Sequence, residues 1–265
     1  MKIKDLLNNL ESSFPGFLQE SYDNTGDQVV FPDEDITGIY ICLDPDRFVI
    51  EDALASGSNL IISHHPLIFK PVKSIVQGDV RSESLIKLIS SKITLYALHT
   101  NFDKIMYDYL ARFLGFEQTE PLFETDTFEE KPVGLGSVAF LDNEVELFTL
   151  LEIVKKKLEL DFILYSGGIN SLIKSIAFVN GSGGSSIEKI IKRINPDCII
   201  TGDVGYHHMK FVIENNKSVI DAGHFGTEKI FKSLMCSIVD GYIKKSGEEI
   251  KVIESEVEKN PFKVY

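Results

Sequence analysis

Hydrophobic positions along this chain follow two alternating rhythms. Short apolar, β-branched runs at Ile39 to Leu43, Leu60 to Ser63 and Ile93 to Leu98 are separated by helical spacings near Arg47 to Ser56 and Glu83 to Ser90. A second series follows, with strands predicted at Val138 to Leu141, Phe162 to Tyr165, Ile176 to Val179 and Cys198 to Thr201, and helices over Glu144 to Leu158 and Ser186 to Ile194. Such alternation predicts an α/β fold. At the start, Ile3, Leu6, Leu7 and Leu10 outline an amphipathic helix that Asp5, Asn8 and Asn9 interrupt, so no signal-peptide core is present.

The two series overlay. Ile39 to Asp44, a helix and Asn59 to His65 match Ile176 to Gly181, a helix and Asp197 to Asp203 as strand, helix, strand and polar turn. The correspondence continues where Thr94 to Leu98 leads into His99-Thr100-Asn101-Phe102-Asp103 and Ser218 to Ala222 leads into Gly223-His224-Phe225-Gly226-Thr227-Glu228. Any two βαβ segments resemble each other at this coarseness, but the polar residues also coincide, which favours a diverged internal duplication. The expected division is residues 1–125 and 126–265, with the C-terminal segment packing back on the first repeat. The acidic stretch from Phe116 to Pro132 is expected to be a solvated linker.

A composition of 43% hydrophobic and 25% charged residues excludes long disorder. The net charge of −13 makes nucleic acid and anionic lipid poor partners, because the surface field repels phosphate. No apolar stretch approaches the roughly 20 residues that span a bilayer. Cys42, Cys198 and Cys236 are odd in number and lie in apolar runs, which fits buried thiols in a reducing, cytoplasmic compartment.

All six histidines fall in four places, His64-His65, His99, His207-His208 and His224, each just after a predicted strand or one turn into the next element. The carboxyl ends of strands in an α/β sheet form the crevice where ligands bind, so these side chains can converge. Pro66 holds His65 toward extended geometry and ends the strand, leaving both members of the pair able to serve neighbouring metal ions. His224 and Glu228, four apart, would stack on one helix face, as a metal site or as a surface pair of small energy. Asp103 corresponds to Glu228 across the repeats, and two such carboxylates suit two cations about 3.5 to 4 Å apart; a helix cap is its commoner role. His99 reads as a neighbour of the metals or a proton carrier, and His207 or His208 as a general acid or base, only one of which can face the crevice. The Asn180 to Ser186 loop could cradle an anion or act as a plain βα turn, and Ser21 to Val29 reads chiefly as a turn. Local signatures of serine hydrolases, dithiol redox proteins and the common zinc proteases are absent.

Asp23 to Val29, His64-His65-Pro66-Leu67-Ile68-Phe69, His99 to Asp103, Thr201-Gly202-Asp203 with Tyr206-His207, and Gly223 to Glu228 resemble, in order, the motifs of the Nif-three-like dinuclear-metal proteins, also called GTP cyclohydrolase I type 2 homologues. The resemblance implies two similar α/β/α domains with mixed sheets, a dinuclear centre drawing on both repeats, and a homohexamer. It places His64, His65, Asp103, His224 and Glu228 at ligand positions for two divalent ions per subunit, with Zn, Fe, Mn, Co and Ni all compatible with imidazole and carboxylate donors. Tyr22 stands where that family often has Trp and Asp27 where it often has an apolar residue; the PII-like insertion of longer members is missing. The function expected is hydrolysis in which the two metals activate a bridging water, with His99 and His207 as proton carriers. The alternative is a metal-storing, metal-delivering or partner-binding scaffold without turnover.

Overall fold

In the computed structural model, which describes residues 1–265, the chain begins with α1 (Ile3–Ser13), β1 (Gly26–Val29), β2 (Ile39–Cys42), α2 (Arg47–Ala55), β3 (Leu60–Ser63), α3 (Val80–Ser90), β4 (Thr94–Ala97) and α4 (Thr100–Ile105). It continues through α5 (Tyr109–Leu114), β5 (Thr119–Phe128), β6 (Lys131–Glu146), α6 (Leu147–Lys157), β7 (Leu164–Ser166), β8 (Leu172–Phe178), α7 (Ile187–Arg193), β9 (Cys198–Thr201), α8 (Tyr206–Glu214) and β10 (Ser218–Asp221). Last come α9 (His224–Glu228), α10 (Ile230–Ser246) and β11 (Val252–Glu254).

Two mixed sheets result, ordered β1-β4-β3-β2-β11 and β5-β6-β8-β9-β10-β7. Each has three neighbouring parallel strands, β2, β3 and β4 in one and β8, β9 and β10 in the other. Each closes that set with an antiparallel strand, β1 on β4 and β7 on β10. The shared order is what the overlaid sequence series predict. Strands β2, β3, β4, β9 and β10 are buried at every position, as strands covered on both faces must be, and hence carry apolar residues at their inner positions.

Two helices flanking the first sheet start at acidic caps. Asp46 accepts from the N–H groups of Phe48 and Val49 at the head of α2, and Asp79 accepts from Ser82 at the head of α3. Val49, Ile50 and Ala53 of α2 and Leu88 of α3 join Tyr40, Cys42, Ile61 and Leu95 in one core. In the other sheet Ile187, Ile190 and Ile191 of α7 and Val212 of α8 join Ala177, Ile199 and Val219.

The acidic stretch expected to be a linker is instead β5, paired with β6 from Thr119–Ala139 to Phe128–Lys131. The two turn residues, Glu129 at φ 48° and Glu130 at φ 63°, occupy the left-handed conformations of a tight hairpin turn. Asn-Gly or Asp-Gly usually signals such a turn, and two glutamates do not. The compact units are Met1–Phe102 with Lys229–Lys259, and Asp103–Glu228 with Asn260–Tyr265. The division comes before residue 125 because β5 belongs to the second sheet, and α10 and β11 return to the first unit because β11 pairs with β2. All three cysteines are free thiols, and no helix is long and apolar enough to cross a membrane.

Candidate metal site

His64 and His65 leave the end of β3 and His99 the end of β4, strands that run parallel side by side. The β2–β3 ladder persists past its last strand residues, with His64 N donating to Cys42 O at 3.1 Å and His65 N to Leu43 O at 2.9 Å. That pairing holds both histidines in extended backbone until Pro66 interrupts it. The ligand atoms of His64, His65 and His99 lie within 4.8 Å of one another. His64 is fully buried, its ring 4.8 Å from that of Phe231, which stands edge-on to Phe102 at 4.9 Å.

Each imidazole of this trio is anchored through the same atom. His64 Nδ1 donates to Leu98 O at 2.9 Å, His65 Nδ1 faces Asp44 Oδ1 at 2.8 Å, and His99 Nδ1 faces Asp23 Oδ1 at 2.8 Å. A carbonyl or carboxylate oxygen calls for a proton on Nδ1, which puts the lone pair on Nε2, the form and orientation typical of metal-binding histidine. The Asp23 side chain is fully buried and also accepts from the Thr100 N–H at 3.0 Å and the Thr100 hydroxyl. Burial opposes its charge, but the His99 ring and the Thr100 bonds outweigh that and bring its pKa down to about 2.

In the second unit, His224 opens α9 and Glu228 closes it, and the helical spacing sets His224 Nε2 2.9 Å from Glu228 Oε2. His224 Nδ1 meets Asp203 Oδ2 at 2.7 Å, so this ring too has its Nδ1 on an oxygen acceptor. An imidazole between two carboxylates needs a second proton or a cation on its Nε2 side, a donor set that fits a metal ion. Asp203 has φ 57°, a left-handed conformation that aspartate tolerates better than most residues. Asp221 at the end of β10 braces both partners, accepting from Val204 N and from Gly223 N, each at 3.0 Å.

Asp103 lies in the first turn of α4 and is half-buried. The buried Tyr109 phenol is pushed well above its ordinary range, first by burial and then by the charges of Asp103 and Glu228, so both carboxylates act on one hydroxyl. The Asn180 to Ser186 loop takes a place that its sequence did not suggest. A Cβ on Gly181, at φ 57°, would come 1.9 Å from Glu228 Oε1 and 3.0 Å from His224 Nε2. The Gly181 N–H donates to Thr227 Oγ1 at 2.9 Å. His207 is exposed on α8 beside Tyr206 and stands outside the His224–Glu228 pair, and His208 follows it, half-buried.

The family model described as Duf34/NIF3 (NGG1p interacting factor 3) matches residues 1–261. The chain belongs to this family. A curated relative from Clostridium acetobutylicum, a GTP cyclohydrolase 1 type 2 homolog, is 35% identical over 266 residues, covering 99% of this chain and 98% of the relative. A solved Staphylococcus aureus protein covers 100% of this chain and 99% of its own at 26% identity and a TM-score of 0.90. A Bacillus cereus protein related to NIF3 has the same fold, with a TM-score of 0.91 at 20% identity, covering 100% of this chain and 99% of its own.

For this DUF34/NIF3 chain, the sequence shows which strands the histidines follow but not which oxygen each Nδ1 meets. Asp23 and Asp203 lie in recognised motifs and Asp44 is visible as the polar residue after a strand, but none of the three is marked in the sequence as a histidine's partner. Gly181 was visible as part of a flexible loop. Its need to be glycine comes from Glu228, 47 residues on, and follows from the fold alone.

Proposed function

We propose that this DUF34/NIF3 protein holds two divalent metal ions through His64, His65, Asp103, His224 and Glu228 and is a metal-dependent hydrolase. The observation that carries the reading is the common anchoring of His64, His65, His99 and His224, each with Nδ1 on an oxygen acceptor. A structural histidine needs one hydrogen bond; four prepared identically are a set of ligands and their close neighbours. When bound, paired dications supply Lewis acidity and lower the pKa of water toward neutrality.

The side chains have distinct parts in this reading. Asp44 and Asp203 orient His65 and His224, while the buried Phe231 and Phe102 rings exclude water around His64. His99 Nε2 takes up and returns a proton, and the ionised Asp23 stabilises the imidazolium so formed. His207 is the second candidate proton carrier, reached from the exposed face of α8. Exposed Phe69, Ile75 and Val76 between β3 and α3, with Val80 at the first position of α3, support assembly with further copies of the chain, for which the homohexamer is the expected form.

Metal analysis of protein purified without an affinity tag tests the binding. About two ions per chain are expected, with Zn, Fe, Mn, Co and Ni all assayed, and Asp103→Ala should lose metal; an apo protein that takes up none from any of these would refute the reading. The relatives' name, GTP cyclohydrolase 1 type 2 homolog, makes GTP the first substrate to offer, followed by phosphoesters and cyclic amides. Turnover that disappears in His65→Ala and Glu228→Ala supports a hydrolase. Tight metal binding without turnover would instead favour the scaffold.

A further inference from the structure

The C-terminal segment reaches the His65 end of the first sheet. β11 runs parallel to β2, pairing Val252 with Ile39 and Glu254 with Ile41, and Ser255 N extends the ladder to Ile41 O at 2.8 Å. Three residues later the Glu258 carboxylate turns inward and accepts from Leu43 N at 3.0 Å and from Asp44 N at 2.7 Å. Its side chain is only 6% exposed, and Lys232 Nζ of α10, similarly buried, lies 3.7 Å from it while donating to Ser255 O at 2.6 Å.

Nothing in the sheet itself demands this arrangement. The Asp44 side chain is 61% exposed, so water could satisfy the Asp44 N–H at the end of β2. A buried carboxylate from 214 residues away does so instead, at a desolvation cost that a paired lysine only partly offsets. What the arrangement fixes is the backbone of Asp44, and with it the direction of the Cα–Cβ bond carrying the carboxylate that holds His65 Nδ1 at 2.8 Å.

We infer that Glu258 is a positioning residue for His65: the C-terminal segment clamps the Asp44 backbone so that the Asp44 carboxylate keeps the His65 ring turned with Nε2 toward a metal. The inference rests on the metal-binding function proposed above. It makes metal affinity depend on a residue far from any ligand in sequence and in contact with none of the proposed ligands' rings.

Zinc affinity of the full-length protein, measured by competition with a chelator, tests it in four variants. Glu258→Gln and Asp44→Asn should each weaken binding about tenfold, the usual size for loss of a ligand's outer partner. Because they act through one path, the double variant should be little weaker than either alone, whereas independent structural damage would multiply to about a hundredfold. In metal-free protein, nitrogen-15 histidine spectra should show His65 as one tautomer in the wild type and a mixture in Glu258→Gln. Wild-type affinity and a single tautomer in Glu258→Gln, alongside weakened binding in Asp44→Asn, would overturn the positioning role and leave the metal site standing; so would multiplicative losses. Unchanged binding in His65→Ala would remove the metal-site reading and this inference together. Should Glu258→Gln not fold, Glu258→Asp, which keeps the charge but shortens its reach, is read by the same two measurements.

Discussion

His65 Nδ1 lies 2.8 Å from Asp44 Oδ1, a residue 21 positions earlier, and His224 repeats the relationship with Asp203 at 2.7 Å and the same separation. The coincidence follows from the geometry of parallel strands. Asp44 follows β2 and His65 follows its parallel neighbour β3; Asp203 follows β9 and His224 follows β10. Adjacent strands lie about 4.8 Å apart, so residues just past their carboxyl ends meet side by side. A helical crossover of similar length in each repeat then sets similar sequence separations.

Asp203→Gly should separate stability from binding. Glycine relieves the left-handed conformation at φ 57°, so the melting temperature should hold or rise, with a gain of up to about 1 kcal/mol. Losing the Nδ1 partner of His224 should weaken metal affinity roughly 10- to 100-fold. Calorimetric melting and chelator competition on one preparation would show the two changes, and unaltered affinity would exclude an orienting role for Asp203.

Gly181→Ala should be far worse than an ordinary glycine replacement. Its Cβ would collide with Glu228 Oε1 at 1.9 Å, while Gly247, at φ 74°, has nothing within 4 Å of a built Cβ. Gly247→Ala should therefore show only backbone strain, about 1 kcal/mol, with metal content unchanged. Gly181→Ala should lose metal as well as stability. Equal metal content in the two variants would contradict the close approach.

Asp197 gives a dependence on pH away from the metal ligands. It accepts from Lys174 N, Ser175 N and Ser175 Oγ, and Lys217 Nζ lies 3.5 Å from it. Burial raises its pKa, but these donors outweigh burial and hold it below the ordinary 3.8. A lowered folded pKa stabilises the protein above the unfolded value, and that stabilisation fades as pH falls through the folded one. Asp197→Asn should melt lower than wild type at pH 7, and the gap should close as pH drops below about 4. A gap independent of pH would assign the loss to packing.

Metal removal should lower the melting temperature. An ion at a hundred times its dissociation constant adds about 2.7 kcal/mol, equivalent to roughly 5–10 °C in a chain of this size. Chelation should produce that fall in the wild type and a smaller one in His65→Ala, and adding the ion back should restore it. No shift in the wild type would count against the proposed site.

Most strands and helices were legible because burial writes itself into local patterns. β2, β3, β9 and β10 are covered on both faces, which leaves apolar residues at their inner positions, and α2 carries its burial at helical spacing. The β5–β6 hairpin escaped because its turn is Glu129-Glu130 and β5 has a single buried position among half-buried and exposed ones, so neither turn chemistry nor alternation marked it. β11 escaped because three residues carry no period at all.

The line of polar residues after each apolar run already placed the histidines at the carboxyl ends of parallel strands, since strand ends and imidazoles are both visible one residue at a time. Which oxygen each ring would face was not visible there. Asp23 and His99 are 76 residues apart, Gly181 owes its identity to a carboxylate on another element, and Glu258 reaches Asp44 only once β11 lies beside β2. These relationships depend on which strands become neighbours and in what register, and that choice is made by the packing of both sheets as wholes.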